Sequence, residues 1–297
     1  MCAWEAKRQS QLHSQSGLSG AQEEVRIRRH RKEPHQDEHL WQKSKGKQQN
    51  MMAREPCLPT ALALPRSCFT YTRCFCEENV YLLLAKLHAL ISSSEDLLGC
   101  QLSALFVSNS LKACPIWMQR ETGEALGNAD QVEDREEAGT EGNEENKIAE
   151  FSLNDGPILW DYHVVALLET PGGLAYVYDL DTRLEPFPCP AGAYVRKAFK
   201  PDLPLREEYR QRFRRVSFSP VLRDCFASDR SHMRALDGSW TVPPPLYPPI
   251  RGANSASAMT LPAFWKVDEE KEGEKEGGTE GKLGEVLSLG DLLKRIK

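Results

Sequence analysis

Cys76 is the residue of this sequence whose surroundings best suit a nucleophile. The apolar residues that follow it recur at helical spacing: Val80, Leu83, Leu84, Leu87 and Ile91. This pattern predicts an amphipathic helix over about residues 77–93. A helix start has unpaired N–H groups and the positive end of the helix dipole, so we expect a thiolate there with a lowered pKa. A buried structural cysteine is the alternative.

A histidine and an aspartate lie on two adjacent predicted strands. Residues 158–168 and 174–180 are strand-like, and Pro171-Gly172-Gly173 between them is typical of a hairpin turn. With the turn centred on the proline, His163 and Asp179 pair directly, roughly 5 Å apart at Cβ. The carboxylate would orient the imidazole and leave its other nitrogen as a base. The alternative is a satisfied polar pair, and a one-residue shift of register would separate the two.

Cys76, His163 and Asp179 together make a nucleophile, a base and an orienting carboxylate. A cysteine on a helix start, with histidine and aspartate on neighbouring strands, is the arrangement of papain-like and transglutaminase-like enzymes. We expect an imidazolium–thiolate pair that attacks an amide, with His163 protonating the departing ammonia. The backbone N–H of Cys76 is a donor for the oxyanion. The sequence indicates no second donor.

The composition predicts one folded domain interrupted by polar segments. The chain has 297 residues, of which 40% are hydrophobic and 27% charged. Residues 1–58 lack periodicity and predict a disordered N-terminal extension, whose basic cluster at 26–32 fits a solvated tail or an import or nucleic-acid patch. The catalytic domain is then 59–297, with a flexible acidic insertion at 120–150 and a charged insertion at 269–282.

The remaining elements follow from shorter patterns. They are a buried strand at 104–108, an apolar segment at 115–118, a helix at 206–213 with Tyr209 and Phe213 on one side, an extended proline-rich segment at 243–249 and an amphipathic helix at 287–296. With the Cys–His–Asp arrangement they predict an α+β fold. We expect a papain/transglutaminase-like α-β-α sandwich with a mainly antiparallel sheet in a single catalytic domain.

Charge and cysteine content limit the compartment and the partners. The net charge of −5 predicts no general affinity for nucleic acid, and no apolar run is long enough to span a bilayer. The N-terminus lacks the apolar core of a signal peptide, so nine cysteines indicate free thiols in the cytosol or nucleus. Cys68 and Cys74 lack a second pair of ligands at zinc-site spacing, so we expect no metal and no cofactor. We also expect a monomer.

Four short segments form an ordered set of motifs. They are Cys74-Phe75-Cys76-Glu77-Glu78-Asn79, Trp160-Asp161-Tyr162-His163-Val164-Val165, Tyr178-Asp179-Leu180-Asp181-Thr182 and Phe226-Ala227-Ser228-Asp229-Arg230-Ser231-His232-Met233. In this order they resemble the protein N-terminal glutamine amidohydrolase family. The resemblance covers residues 66–262 and, more loosely, the final helix. As an ordered set it is highly specific.

The resemblance implies both a reaction and its catalytic residues. The family converts an N-terminal glutamine side chain to glutamate, with release of ammonia, on proteins or peptides whose N-terminus is free. Its product enters the arginine branch of the N-degron pathway. The family's nucleophile corresponds to Cys76, its histidine to His163 and its aspartate to Asp179. The N-terminal extension and the two insertions depart from the family pattern without touching a motif.

A substrate with a free N-terminus also needs an acceptor for its α-ammonium group. The acidic candidates in the matched motifs are Glu77, Glu78, Asp161 and Asp229, and Trp160 is a further substrate-binding candidate. Structural roles fit equally well, because acidic residues stabilise a helix start and Asp229 could pair with its neighbour in a loop.

Two other functions stay open from the sequence. A papain-like protease or a transglutaminase would share the same triad, and a non-catalytic interaction protein could keep the same fold. The amidohydrolase differs from the first because it needs a free N-terminal glutamine and leaves the backbone intact.

Overall fold

The computed structural model describes residues 57–120, 156–267 and 283–296. The disordered extension predicted for 1–58 lies outside these residues except for its last two positions. The acidic insertion predicted for 120–150 lies outside them except for its first residue, and the charged insertion at 269–282 lies wholly outside. Those three assignments therefore stay predictions.

The described strands are almost all part of one antiparallel sheet. They are β1 (Gln101–Ser108), β2 (Cys114–Ile116), β3 (Ile158–Trp160), β4 (Tyr162–Glu169), β5 (Ala175–Tyr178), β6 (Cys189–Pro190), β7 (Arg212–Ser217) and β8 (Glu285–Ser288). Six of them form a sheet in the order β6-β5-β4-β1-β7-β8, and β2 pairs separately with β3. Every pair is antiparallel, which confirms the predicted sheet type.

The helices of the described segments are few and mostly short. They are α1 (Cys76–Ser92), α2 (Ala191–Phe199), α3 (Arg223–Cys225), α4 (Leu261–Trp265) and α5 (Leu289–Arg295). Single 3-10 turns occupy Thr60–Leu62, Arg66–Cys68, Glu95–Leu97, Glu207–Tyr209 and Ser231–Met233, and an irregular helical turn occupies Phe218–Leu222. The helix predicted at 77–93 is confirmed within one residue at each end. None of the described helices has the length and apolarity needed to cross a membrane.

The two faces of the sheet are buried by different helices. Along β1, Phe106 packs with Leu84 of α1 in one core, while Leu105 packs with Tyr194 of α2 in the other. Side chains alternate between faces along a strand, so a strand covered on both sides is apolar at nearly every position. This explains why β1 and β4 are continuous apolar runs, and why the described residues form one mixed α/β domain.

Two of the predicted elements have different boundaries or types. The helix predicted at 206–213 is wrong, because only Glu207–Tyr209 forms a 3-10 turn and Phe213 lies in β7. Pairing of β7 with both β1 and β8 determines its conformation, which is a tertiary effect. The C-terminal helix begins at Leu289, since Leu287 belongs to β8. The proline-rich segment 243–249 contains neither helix nor strand, as an extended segment requires.

The cysteines are mostly free thiols, as expected. Of the eight cysteines that the structure describes, seven have free side chains: Cys57, Cys68, Cys76, Cys100, Cys114, Cys189 and Cys225. Cys74 is disulfide-bonded, so the expectation of free thiols holds for those seven only.

Candidate active site

Cys76 is the first residue of α1 and is almost completely buried, with 5% of its surface exposed. The backbone N–H of Val164, the residue that follows His163 in β4, lies close enough to this sulfur to lower its pKa. The Oε2 atom of Glu77 lies 3.7 Å from the same sulfur. The helix start therefore places the thiol beside the backbone of the strand that carries the histidine.

The pKa of the Cys76 thiol is raised well above its ordinary value. Burial is the main cause, and the charges of Glu77, Asp181 and Asp161 add to it, while the Val164 N–H opposes them. The predicted lowering of this pKa was therefore wrong for the protein without substrate. The helix dipole is a small effect beside desolvation and three neighbouring carboxylates.

His163 and Asp179 form a fully buried pair. The Nε2 atom of His163 lies 2.9 Å from Oδ1 of Asp179, and neither side chain is exposed to solvent. An ionised carboxylate only accepts hydrogen bonds, so Nε2 carries the proton. The other imidazole nitrogen, Nδ1, is buried and has no hydrogen-bond partner in the described segments. Trp160 stacks on the ring with 4.4 Å between ring centroids.

The pairing of the two strands differs from the predicted register. Ala166 lies opposite Tyr178 and Leu167 opposite Val177, so β4 is shifted by two residues relative to the prediction. His163 and Asp179 are consequently not directly opposed, and the last residue of β5 is Tyr178. A shift of two residues keeps the same face, which is why the two side chains still meet.

The Asp179 carboxylate accepts four hydrogen bonds. Besides the His163 contact, its Oδ1 accepts the backbone N–H of Asp181 at 3.0 Å. Its Oδ2 accepts Nε2 of Gln119 at 3.0 Å and the hydroxyl of Tyr194 at 2.8 Å. Neither Gln119 nor Tyr194 was among the site residues predicted from the sequence. Their spacing along the chain gives no signal, because α2 and the segment after β2 bring them together only in the fold.

The environment shifts the pKa values of the pair in opposite directions. Burial alone would lower the pKa of His163, but the charge and hydrogen bond of Asp179, with smaller contributions from Asp181 and Glu77, raise it overall. Burial alone would raise the pKa of Asp179, but His163, Gln119 and Tyr194 together lower it. The site therefore favours an ionised carboxylate and a basic imidazole.

Donor atoms of His163, Asp179 and Asp181 all lie within 4.8 Å of one another, a set that could hold a cation. However, the oxygens of Asp179 already receive four hydrogen bonds, and Oδ1 of Asp181 accepts the hydroxyl of Tyr71 at 2.5 Å. A cation there would have to displace these donors. The arrangement of donors fits a hydrogen-bonded carboxylate.

Comparison with known proteins assigns the family. The family model for N-terminal glutamine amidase matches residues 71–128 and 146–296. The protein N-terminal glutamine amidohydrolase of Bos taurus is 36% identical over 206 residues, 69% of this chain and 81% of that protein. The Homo sapiens protein of the same name is 36% identical over 204 residues, with 69% and 81% covered. The Danio rerio protein is 34% identical over 226 residues, with 76% and 88% covered.

This chain belongs to the N-terminal glutamine amidase family.

The family match includes every predicted site residue of the chain. Cys76, His163, Asp179 and the substrate-binding candidates all fall within residues 71–128 and 146–296.

Glu77 lies in the site of this amidase-family chain beside the nucleophile. Its side chain is fully buried, and its Oε2 accepts the hydroxyl of Tyr162 at 3.0 Å. Its Oε1 is buried without a hydrogen bond, and Nε2 of His232 lies 3.4 Å away. The Tyr162 hydroxyl also lies 3.4 Å from that nitrogen. His232 was not among the predicted site residues, although it lies in one of the four motifs.

Glu78 and Asp229 have partners of their own. Both carboxylate oxygens of Glu78 accept hydrogen bonds from Arg230, each at 2.8 Å, and the pair is almost completely buried. Asp229 is exposed, and its Oδ1 accepts the backbone N–H of Ser231 at 2.9 Å. The predicted ion pair between Asp229 and its neighbour is therefore wrong, because Arg230 turns inward to Glu78.

Trp160 is the last residue of β3, and Asp161 lies between β3 and β4. Much of the Asp161 residue is exposed, but neighbouring protein surrounds its carboxyl, and its Oδ1 accepts the backbone N–H of Tyr162 at 3.0 Å. Desolvation of its carboxyl raises the pKa of Asp161, and the charge of Glu77 raises it further. The indole Nε1 of Trp160 is buried and has no hydrogen-bond partner among the described residues.

A cavity of about 650 Å³ lies away from these residues. It is lined by the last turns of α1 and by the first residues of β1, among others His88, Ile91 and Gln101. The site residues lie at the opposite ends of those two elements. This cavity therefore takes no part in the chemistry of Cys76.

Proposed function

We propose that this chain hydrolyses the side-chain amide of an N-terminal glutamine on proteins or peptides, giving glutamate and ammonia. Membership of the N-terminal glutamine amidase family supports the reaction class. The observation that carries the proposal is the buried His163–Asp179 pair on β4, the strand whose Val164 backbone lies near the Cys76 thiol, with all three residues in the motifs that resemble the family. The product belongs to the N-degron pathway.

In the first half of the proposed reaction, Cys76 forms a thioester with the substrate. The Nδ1 atom of His163 takes the thiol proton as sulfur attacks the side-chain amide carbon, because the raised thiol pKa leaves little thiolate beforehand. The amide oxygen becomes an oxyanion, for which the unpaired N–H of Cys76 at the start of α1 is a donor. The imidazolium then gives its proton to the nitrogen, the C–N bond breaks and ammonia leaves.

In the second half, water hydrolyses the thioester. His163 takes a proton from water while the oxygen attacks the thioester carbon. The C–S bond breaks, the glutamate side chain leaves and the sulfur regains the proton from the imidazolium. Asp179 keeps its charge throughout and stabilises the imidazolium in both halves, as its lowered pKa allows.

The substrate-binding roles of Glu77, Glu78, Trp160, Asp161 and Asp229 remain proposals. Trp160 has an indole N–H that is free to bind a substrate oxygen. Glu78 has both oxygens bound to Arg230, which favours a structural role.

The wider setting of the enzyme is also proposed. The helices on both faces of the antiparallel sheet and the Cys–His–Asp set support a papain/transglutaminase-like fold. We propose a monomer in the cytosol or nucleus that needs no cofactor and binds neither nucleic acid nor membranes. The basis is the acidic net charge of −5 and the free side chains of seven described cysteines.

A peptide with N-terminal glutamine tests the reaction. Mass spectrometry and ammonia release would show conversion to an N-terminal glutamate with the backbone intact. An N-acetylated peptide and Cys76→Ala serve as inactive controls, and a sample without enzyme accounts for spontaneous cyclisation. Cleavage of a peptide bond would favour the papain-like protease instead. Equal turnover of the blocked peptide, or full activity of Cys76→Ala, would rule the proposal out.

A further inference from the structure

A free N-terminus is recognised by its α-ammonium group, and the acceptor must lie near the nucleophile. Four bonds separate the side-chain amide carbon of glutamine from its α-nitrogen, so the two are at most about 5 Å apart. The acceptor must therefore be a carboxylate that neighbours Cys76 and is not already neutralised by a protein cation.

Glu77 meets the first part of this requirement. It follows the nucleophile in the chain, and its Oε2 lies 3.7 Å from the Cys76 sulfur. Among the described residues its buried Oε1 accepts no hydrogen bond, although Nε2 of His232 lies 3.4 Å away, while Oε2 is held by Tyr162. A buried carboxylate oxygen without a donor is costly unless a ligand supplies one.

Asp161 meets the second part of the requirement, because no ion pair among the described residues involves its carboxylate. Its Oδ1 accepts the backbone N–H of Tyr162, and the charge of His232 acts on its carboxylate without forming an ion pair. Beside the larger effects of burial, its charge raises the pKa of Cys76 and the charge of Glu77 raises its own. Asp161 directly precedes Tyr162, whose hydroxyl donates to Oε2 of Glu77 at 3.0 Å, and it lies three residues before Val164, whose backbone is near the Cys76 sulfur. This stretch of the chain therefore runs past both the buried carboxylate and the thiol.

The other two acidic candidates lack one property each. Glu78 is neutralised by Arg230 through two hydrogen bonds and is fully buried. The side chain of Asp229 holds the turn that leads into Ser231, and its charge is not among the main influences on the thiol.

We propose that Asp161 and the free oxygen of Glu77 together bind the α-ammonium group of the N-terminal residue. This inference rests on the proposed function, because it names the part of the same site that selects a free N-terminus. The ammonium approaches from the exposed Asp161 and donates a second hydrogen bond to Oε1 of Glu77. An acylated α-nitrogen carries no charge, so it cannot take the place of the ammonium group in this site. Tyr162, which binds Oε2, fixes the orientation of the Glu77 carboxylate.

The test compares two peptides that differ only in the α-amino group. One begins with glutamine, and the other begins with the 5-amino-5-oxopentanoyl group, which is glutamine without its α-nitrogen. We expect wild type to prefer the first in kcat/KM. Asp161→Asn should lower kcat/KM for the glutamine peptide by about 10- to 100-fold, mainly through KM, because a charge-assisted hydrogen bond is lost. The desamino peptide should be turned over nearly as before, so the preference collapses.

Two matched variants serve as controls. Asp202→Asn removes one exposed aspartate in the turn after α2 and should leave the preference unchanged. Asp229→Asn tests the competing candidate, and a collapse of the preference there instead of in Asp161→Asn would overturn the inference. Glu77→Gln should reduce the preference even where it alters the rate on both peptides, because it retains the Tyr162 contact but not the charge.

The outcomes separate this inference from the proposed function. If wild type releases no ammonia from the glutamine peptide, both fail. If wild type prefers the glutamine peptide and Asp161→Asn prefers it as strongly, only the ammonium site is wrong. Thermal melting of Asp161→Asn should match wild type, since the carboxylate becomes an amide that still accepts the Tyr162 N–H.

Discussion

The imidazole of His163 reaches the carboxylate of Asp179 although the two residues are not opposite each other in the β4–β5 ladder. Their contact of 2.9 Å is diagonal and lies just beyond the end of β5. Gln119 and Tyr194 hold the carboxylate from its other side. The position of Asp179 therefore depends on three separate parts of the chain. Its orientation leaves Nδ1 of His163 as the free nitrogen.

Asp179→Asn should lower kcat by about 10³- to 10⁴-fold, because an amide neither stabilises the imidazolium nor enforces the required tautomer. Ammonia release from a glutamine peptide measures it. Asp181→Asn is the matched control, since this neighbour influences the imidazole by charge but accepts its hydrogen bond from Tyr71. Losses of equal size in the two variants would contradict the orienting role of Asp179.

The protonation of His163 should stabilise the fold below neutral pH. Its folded pKa is raised above the unfolded value of about 6.5, so the contribution is complete below that pH and disappears as pH rises through the folded pKa. His163→Gln lacks this contribution of imidazole protonation to the free energy of unfolding. The difference in free energy of unfolding between wild type and His163→Gln should therefore shrink from about pH 6 to alkaline pH in urea titrations. A difference that grows with pH would refute the raised pKa.

Tyr194→Phe should weaken the site without opening a cavity. The hydroxyl donates to Oδ2 of a fully buried carboxylate at 2.8 Å, and such charge-assisted bonds contribute about 1.5–3 kcal/mol. We expect a loss of stability of that size in urea unfolding. The pKa of Asp179 should rise, so the acid limb of the kcat profile should move to higher pH. Tyr209→Phe, at a surface 3-10 turn, is the control and should change neither quantity.

The Glu78–Arg230 pair should act on stability and not on substrate binding. Glu78→Gln leaves a buried guanidinium without its partner, which costs about 3–5 kcal/mol. Urea unfolding measures this loss, and Lys294→Ala, which breaks an exposed pair with Asp291, should change little. At temperatures where Glu78→Gln is still folded, KM for the glutamine peptide should stay unchanged. A raised KM there would return Glu78 to the substrate site.

The helix and hairpin around the site were predictable because their signals are local. Apolar spacing after Cys76 and the Pro171-Gly172-Gly173 turn depend on neighbouring residues alone. The strand at Phe213 was missed because pairing with β1 and β8 decides its conformation, and neither strand is near it in sequence. The error in the predicted register had a similar origin. The turn residues show where the chain reverses, but they do not determine how many residues the closing loop contains, so the strand pairing can still differ by two residues.

The polar environment of the site was much less predictable. Tyr194 reaches the Asp179 carboxylate because α2 packs on the sheet. The spacing of residues in the sequence does not predict this packing. The raised thiol pKa follows from burial, which a helix-start argument ignores. Arg230 stands next to Asp229 in the sequence, yet its side chain turns inward to the buried Glu78.

The charge of Glu77 should control the reactivity of Cys76 in the free enzyme. Burial is the largest cause of the raised thiol pKa, and Glu77 is the next. Glu77→Gln removes the charge with little change of shape, so the pKa should fall, and alkylation of Cys76 by iodoacetamide should become faster near neutral pH. Peptide mass spectrometry across a pH series measures the midpoint at Cys76. Cys114, whose thiol is buried and has no carboxylate among the causes of its raised pKa, is an internal control that should react equally in both proteins. An unchanged midpoint at Cys76 would show that the Glu77 charge does not reach the sulfur.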